Sequence, residues 1–92
     1  MIKTKVIFYK SFEKQLDSIP VYIRVKVMTW IHLVEQFGIR EVSKSKGFHD
    51  EPLKGNRKGQ RSVRLNRSYR LIYLARNNFL EIILIEVNNH DY

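Results

Sequence analysis

The side chains in this sequence that could carry chemistry are carboxylates, histidines and closely spaced arginines. The three histidines, His32, His49 and His90, lack the spacing of paired metal ligands, and neither cysteine nor a glycine-rich phosphate loop is present. We therefore predict no metal site and no cofactor. Metal-free cleavage of RNA needs instead a base for the 2′-OH proton, cations for the charge on the phosphate and an acid for the departing 5′-oxygen. The sequence contains candidates for all three.

The net charge of +8 is concentrated in one stretch of the chain. Eleven of the 17 Lys and Arg residues, but only three of the nine Asp and Glu residues, lie between Arg40 and Arg76. A concentrated positive field is expected where the partner is a polyanion, because neutralising phosphates releases condensed counterions. The pattern predicts a nucleic-acid partner. A solvated loop that is basic for solubility is the alternative.

Length and composition limit the class of protein. Ninety-two residues suffice for one compact domain, 1–92, and 43% hydrophobic with 12% aromatic residues is typical of a folded chain. The N-terminal residues interleave charged and apolar side chains, unlike a signal peptide. Apolar runs such as Ile82 to Ile85 are far too short to cross a bilayer. We expect a cytoplasmic protein without a membrane segment.

The elements that would position these residues begin with a strand and two helices. Alternation over residues 2–9 predicts a strand with one buried face. Ser11 can cap a short helix, and Pro20 suits the first turn of a longer one that Gly38 ends. Apolar residues at helical spacing, Trp30 among them, predict the side of the long helix that packs on a sheet. They are Ile23, Val27, Trp30, Ile31, Val34 and Phe37.

The second half of the chain reads as a loop followed by strands. Periodicity disappears between residues 39 and 59, and the pattern predicts three strands after it, at 61–66, 69–75 and 79–87. This order predicts an α+β fold in which two helices pack on one face of a mainly antiparallel sheet of about four strands. Arginines that project from the later strands would then line the other face. That basic surface is the candidate site.

Four segments resemble the RelE/ParE toxin superfamily, and most closely its YoeB and HigB-like branches. They are 51–56 (EPLKGN), 61–65 (RSVRL), 69–73 (YRLIY) and 90–92 (HDY). The order of strands and helices resembles the family over nearly the whole chain, which implies the RelE-like fold. The specific part of the likeness is confined to residues 51–92.

The resemblance implies roles for four residues. Glu51, directly before the Pro-Leu-Lys-Gly segment, corresponds to the general base. Arg70 corresponds to the arginine that contacts the scissile phosphate, a task that suits a planar fork of donors. His90 and Tyr92 correspond to the terminal pair that supplies the general acid and stacks on or orients a base of the messenger. Here Asp91 is inserted between them, although alternation would direct both to the same side of an extended tail.

Each of these roles has a plainer alternative. Glu51 could be a counter-ion for nearby lysines, Arg70 could pair with Glu81 or Glu86, and the C-terminus could be frayed. His49 is a reserve acid or base, because HigB-like toxins place a functional histidine just before the same segment. The remaining basic residues suit contacts with phosphates of messenger or ribosomal RNA. They are Lys54, Arg57, Lys58, Arg61, Arg64 and Arg67.

The function that the resemblance implies is that of the toxin in a type II toxin–antitoxin system. Such a toxin is a ribosome-dependent, metal-independent mRNA endonuclease that inhibits translation. The implied partners are a cognate antitoxin and the 70S ribosome with its messenger, and operator DNA only indirectly through the antitoxin complex.

Two other functions compete with this one. A ParE-like inhibitor of DNA gyrase has the same fold, but those relatives lack the carboxylate and the terminal histidine and tyrosine. A non-catalytic RNA-binding module would have in common with such a toxin only the concentrated positive charge. It would be favoured if Glu51, Arg70 and His90 did not converge in space.

Overall fold

A computed structural model describes residues 3–89 of the chain. Three α-helices lie between the first two strands, and the second strand is flanked by single 3₁₀ turns at Lys46–Phe48 and Gly55–Arg57. In chain order the strands and α-helices are β1 (Lys5–Phe8), α1 (Lys10–Asp17), α2 (Val21–Phe37), α3 (Ile39–Val42), β2 (Glu51–Pro52), β3 (Gln60–Arg64), β4 (Arg70–Arg76) and β5 (Glu81–Asn88).

The strands of residues 3–89 form one sheet in the order β1-β5-β4-β3-β2. β1 runs parallel to β5, and the other neighbours are antiparallel. The predicted α+β fold and the meander of the last three strands are confirmed. The sheet has five strands rather than about four, because the two-residue β2 forms within the predicted loop and adds an edge.

The helices pack on one face of the sheet. The apolar stripe of α2 is buried as predicted at Ile23, Val27, Trp30, Ile31 and Val34, and Trp30 is a core residue with no exposed surface. Phe37 is 60% exposed, so its place in the buried stripe was predicted wrongly. It is the last residue of α2, and the buried apolar positions past this helix end belong to α3 instead.

The start of α1 also differs from the prediction. Ser11 lies inside the helix, whose N-cap is Tyr9 and has no side-chain cap. Because β1 ends at Phe8, the chain turns at Tyr9, and the helix has already begun when Ser11 is reached. Ser11 therefore cannot act as the cap.

Other boundaries follow local sequence signals. Pro20 directly precedes α2, and Gly38 ends it with a φ of +85°, a conformation that is easy for glycine. The β4–β5 turn uses Asn77 and Asn78, which have φ values of +53° and +56°. Asparagine tolerates this left-handed region better than most residues, and such turns match the twist of a hairpin.

No helix in the described part of the chain combines the length and the apolar content needed to cross a membrane.

Candidate phosphate-binding site

The two faces of the sheet carry different side chains. Successive residues of a strand point to opposite faces, and residues paired across a ladder share a face. Val63, Leu71 and Tyr73 belong to the core under the helices, so their neighbours Arg64 and Arg70 lie on the opposite, helix-free face. Ladder pairing adds further members of the helix-free face, which are Glu51, Ser62, Ile72, Glu86 and Asn88.

Arg64 and Arg70 are direct partners across β3 and β4. Two like charges in such a pair repel each other, at a cost of a few tenths to about 1 kcal/mol. Nε of Arg64 and Nη1 of Arg70 are buried, and neither has a hydrogen-bond acceptor among residues 3–89. Leaving a buried donor without an acceptor costs about 1–3 kcal/mol. An anion bound at this point would relieve both the repulsion and the unpaired donors.

The loop after β2 is fastened to the helix-free face by an ion pair. Arg57 donates to Glu86 of β5 and, at 2.9 Å, to Oε1 of Gln60. Asn88 also donates to Glu86. Ile72, the ladder partner of Glu86, is completely buried although it is not part of the core under the helices. We conclude that this ion pair holds the loop against the helix-free face, beside the arginine pair.

Glu51 reaches the same face from the edge of the sheet. Its ladder partner is Ser62, so Arg64 is the diagonal neighbour of Glu51 on the same face. The Cα atoms of such diagonal neighbours are roughly 7–8 Å apart, a separation that long side chains can span. Glu51 is exposed and lines, with Lys54 and Arg57, a pocket of about 440 Å³. The structure therefore brings Glu51 to the face that carries the arginine pair.

Arg61 lies on the other face of the sheet. Its Nε donates to Oδ1 of Asp50 at 2.6 Å, and the Tyr73 hydroxyl donates to Oδ2 at 2.5 Å. Burial, helped by the hydrogen bond to Asp50, raises the pKa of the Tyr73 phenol far above its ordinary value. Burial opposes ionisation of Arg61, but the hydrogen bond and charge of Asp50 outweigh it and raise the pKa of Arg61. The structure thus separates Arg61 from the other predicted RNA-binding residues.

The remaining predicted contact residues lie in loops and turns. Lys54 and Lys58 are exposed on either side of the 3₁₀ turn that follows β2. Arg67 is exposed between β3 and β4. Oδ1 of Asn66 shapes that turn by accepting the backbone N–H groups two and three residues later, at 2.8 and 2.7 Å. These cations are accessible to a large polyanion.

Of the other predicted site residues, only His49 lies within the described residues. It is exposed and has a φ of +47°. The predicted acid and stacking residues, His90 and Tyr92, lie outside the described residues, so the structure locates neither.

Two residues of this face, Glu86 and Asn88, carry little signal in the sequence. The sequence suggests Glu86 only as an alternative partner of Arg70, and it predicts no role for Asn88. In the structure Glu86 pairs with Arg57, and Glu81 pairs with Arg76 at 2.9 Å. Asn88 is the ladder partner of Arg70. The only sequence signal for either residue is its position at the polar end of the apolar last strand.

Comparison with known proteins identifies the fold. YafQ from Escherichia coli matches with a TM-score of 0.76 at 14% identity, over 96% of this chain and 94% of the other. A YoeB/ParE toxin from Agrobacterium tumefaciens matches with 0.74 at 18% identity, over 96% and 100%. A chain of the RelE–RelB complex from Pyrococcus horikoshii matches with 0.72 at 20% identity, over 95% and 94%.

No protein-family model matches this sequence, and no curated protein does. At the identities above, structural likeness establishes the fold. The chain has the RelE-like fold of these proteins, as the sequence resemblance predicted.

Proposed function

We propose that this chain is the toxin of a type II toxin–antitoxin system and that it cleaves messenger RNA on the ribosome without a metal. The fold that it shares with YafQ, YoeB/ParE and RelE proteins supports the toxin role. The Arg64–Arg70 pair, with its repelling charges and unpaired buried donors, carries the proposal that the target is a phosphodiester.

The scissile phosphate would lie against the arginine pair. The two guanidinium forks would donate to its non-bridging oxygens and offset the charge that develops there in the transition state. Because the backbone of two paired strands holds both arginines, little rearrangement would be needed when the substrate arrives. This preorganisation favours the nuclease over a module that only binds RNA.

Glu51 would act as the general base beside this phosphate. It would take the proton from the 2′-OH, whose oxygen would attack the phosphorus while the bond to the 5′-oxygen breaks. The departing 5′-oxygen would take a proton from the general acid, which leaves a 2′,3′-cyclic phosphate and a 5′-hydroxyl end. The resemblance implies His90 as the acid and Tyr92 as the residue that stacks on or orients a base, with His49 in reserve.

The proposed partners are a cognate antitoxin and the 70S ribosome with its messenger. One relative of the same fold is a RelE protein in complex with RelB. An acidic antitoxin segment would complement the net charge of +8, and operator DNA would be bound only through the antitoxin. The exposed cations Lys54, Lys58 and Arg67 would contact RNA phosphates in the cytoplasm.

The proposal can be tested by primer extension on translated messenger, with and without ribosomes. We expect the wild type to cut within codons only when ribosomes are present, and Glu51→Ala to cut about 10²- to 10⁴-fold more slowly. Glu41→Ala is the matched control, because it removes an exposed carboxylate paired with Lys44, outside the site. Intact messenger together with arrested growth would contradict the nuclease and favour the ParE-like gyrase inhibitor. Intact messenger without arrest would favour the non-catalytic RNA-binding module.

A further inference from the structure

Asp50 is a buried carboxylate that the proposed reaction does not use. It directly precedes Glu51 in the chain, and its side chain is 1% exposed. A carboxylate removed from water needs hydrogen-bond donors for both oxygens. Arg61 donates to one oxygen at 2.6 Å, and the Tyr73 hydroxyl donates to the other at 2.5 Å. Both requirements are met on the helix side of the sheet.

These two partners connect Asp50 to the core of the molecule. Arg61 and Tyr73 are ladder partners on β3 and β4. The Tyr73 ring packs against Trp30 of α2, with 5.2 Å between ring centroids. Tyr73 and Trp30 are 1% and 0% exposed. Because core side chains are closely packed, this anchor cannot move without disturbing the sheet and the long helix together.

β2 by itself is a weak support for Glu51. It has two residues, lies at the edge of the sheet, and has β3 as its neighbour. Two ladder pairs hold it, followed by a hydrogen bond from the Leu53 N–H to the Gln60 carbonyl at 2.9 Å. Consecutive side chains of an extended chain point to opposite faces. Fixing residue 50 on the helix side therefore directs residue 51 to the helix-free face.

We infer that Asp50 is a positioning residue. Anchored by Arg61 and Tyr73 on one side of the sheet, it holds Glu51 on the other side, next to Arg64, and does not itself touch the substrate. The raised pKa of Tyr73 agrees with this arrangement, since it keeps the phenol protonated as a donor. The effect on catalysis rests on the proposed function, whereas the effect on the direction of Glu51 does not.

A double-mutant cycle distinguishes positioning from simple stabilisation. Cleavage of translated messenger is measured for Asp50→Asn, Glu51→Gln and the double variant, with rates expressed per folded protein. We expect Asp50→Asn alone to lower the rate about 10- to 100-fold, because displacement of a reacting group by about 1 Å can cost that much. The double variant should be no slower than Glu51→Gln alone. Independent, multiplying losses would overturn the inference, since Asp50 would then not act through Glu51.

A second measurement does not depend on activity. Amide hydrogen exchange in Asp50→Asn should become faster at Leu53, which follows β2, by a larger factor than at Leu71 and Val87 in the core strands, where exchange reports global unfolding. Unchanged exchange at Leu53, or an equal increase throughout the sheet, would overturn the inference. If the wild type cleaves no messenger, the proposed function fails, and exchange alone decides the positioning role.

Two further variants keep this test decisive. Glu41→Gln is the matched control, because it neutralises an exposed carboxylate and should change neither cleavage nor exchange at Leu53. If Asp50→Asn does not fold, Tyr73→Phe removes one of the two donors while the Arg61 contact remains. It should give a smaller change of the same kind, and no change would contradict the anchor.

Discussion

Two sets of arginines on opposite faces of one sheet have opposite surroundings. On the helix side, Arg61 meets the carboxylate of Asp50 at 2.6 Å. On the helix-free face, Arg64 and Arg70 are ladder partners, and a buried donor of each lacks an acceptor among residues 3–89. Removing one partner of a buried ion pair leaves an uncompensated charge, whereas paired like charges with unsatisfied buried donors are a local cost that an external anion would relieve. The first set is structural, and the second is suited to a ligand.

We expect the largest effect, on the rate of cleavage, from removing an arginine of the helix-free pair. Arg70→Ala should lower the rate of messenger cleavage about 10²- to 10³-fold, because it removes a preorganised donor and charge from the transition state. Single-turnover cleavage on ribosomes would measure this. Arg76→Ala is the matched control, since it removes an exposed arginine from the other end of β4, where it pairs with Glu81. Equal losses in the two variants would mean that only the overall charge matters.

Removing a contact of Asp50 on the helix side should change the stability of the fold instead. Tyr73→Phe leaves one oxygen of Asp50 without its donor, so we expect a loss of about 1–3 kcal/mol in the free energy of unfolding. Urea unfolding followed by circular dichroism would measure it. A loss smaller than about 0.5 kcal/mol would show that the Tyr73–Asp50 contact does not stabilise the fold.

The Tyr73→Phe variant also tests how the free energy of unfolding depends on pH. The pKa of Tyr73 is raised in the folded protein above its ordinary value of about 10, so the stability linked to this shift is complete below that pH. Above it, the unfolded chain loses the phenolic proton first, and that stability is lost as pH rises. The difference in unfolding free energy between wild type and Tyr73→Phe should therefore shrink above pH 10. A difference that stays constant or grows there would contradict the raised pKa.

The exposed cations at the border of the helix-free face should have smaller, additive effects. Lys54→Ala and Lys58→Ala should each reduce the salt dependence of binding to single-stranded RNA by about 0.7 in the slope of log K against log salt, if each contacts one phosphate. Fluorescence anisotropy at several salt concentrations would measure the slopes. Lys10→Ala, in α1 and outside the basic stretch, should leave the slope unchanged. Equal changes in all three variants would argue against a localised RNA surface.

The smallest expected effect, a change in stability, has opposite signs for arginines on the two faces. Arg64→Leu removes one of two like charges on ladder partners and a buried unpaired donor, so the free protein should gain a few tenths to about 1 kcal/mol of stability. Arg61→Leu should destabilise the protein, because it leaves Asp50 buried without its cation. Thermal unfolding of both variants measures the contrast. Destabilisation by Arg64→Leu as large as that by Arg61→Leu would remove the distinction between the faces.

Much of the fold could be predicted from local patterns. The apolar stripe of α2, the end at Gly38 and the asparagine turn before β5 depend on neighbouring residues. The prediction for Phe37 was wrong and the fifth strand was not predicted, because tertiary structure decides both. Phe37 fits the helical period, but it is the last residue of α2 and is left exposed. β2 forms because it pairs with the edge of β3.

The candidate site was predictable only in part, because register and long-range pairing decide it. Alternation with the apolar Val63 already separates Arg61 from Arg64, but a count of basic residues groups them together. The Arg57–Glu86 ion pair joins residues 29 positions apart and leaves no periodic signal in the sequence. The placement of Glu51 and Arg70 on one face agrees with the resemblance, and their roles stay predictions.

The most direct test of the contrast between the two faces is a titration followed by the ¹⁵N NMR signals of the arginine Nε–H groups. The added ligand is a single-stranded oligoribonucleotide with 2′-O-methyl groups, which binds without being cleaved. We predict that the Nε–H signals of Arg64 and Arg70 shift as their donors meet a phosphate, while that of Arg61, held by Asp50, does not. Shifts at Arg61, or none at Arg64 and Arg70, would contradict the assignment of the helix-free arginine pair as the phosphate site.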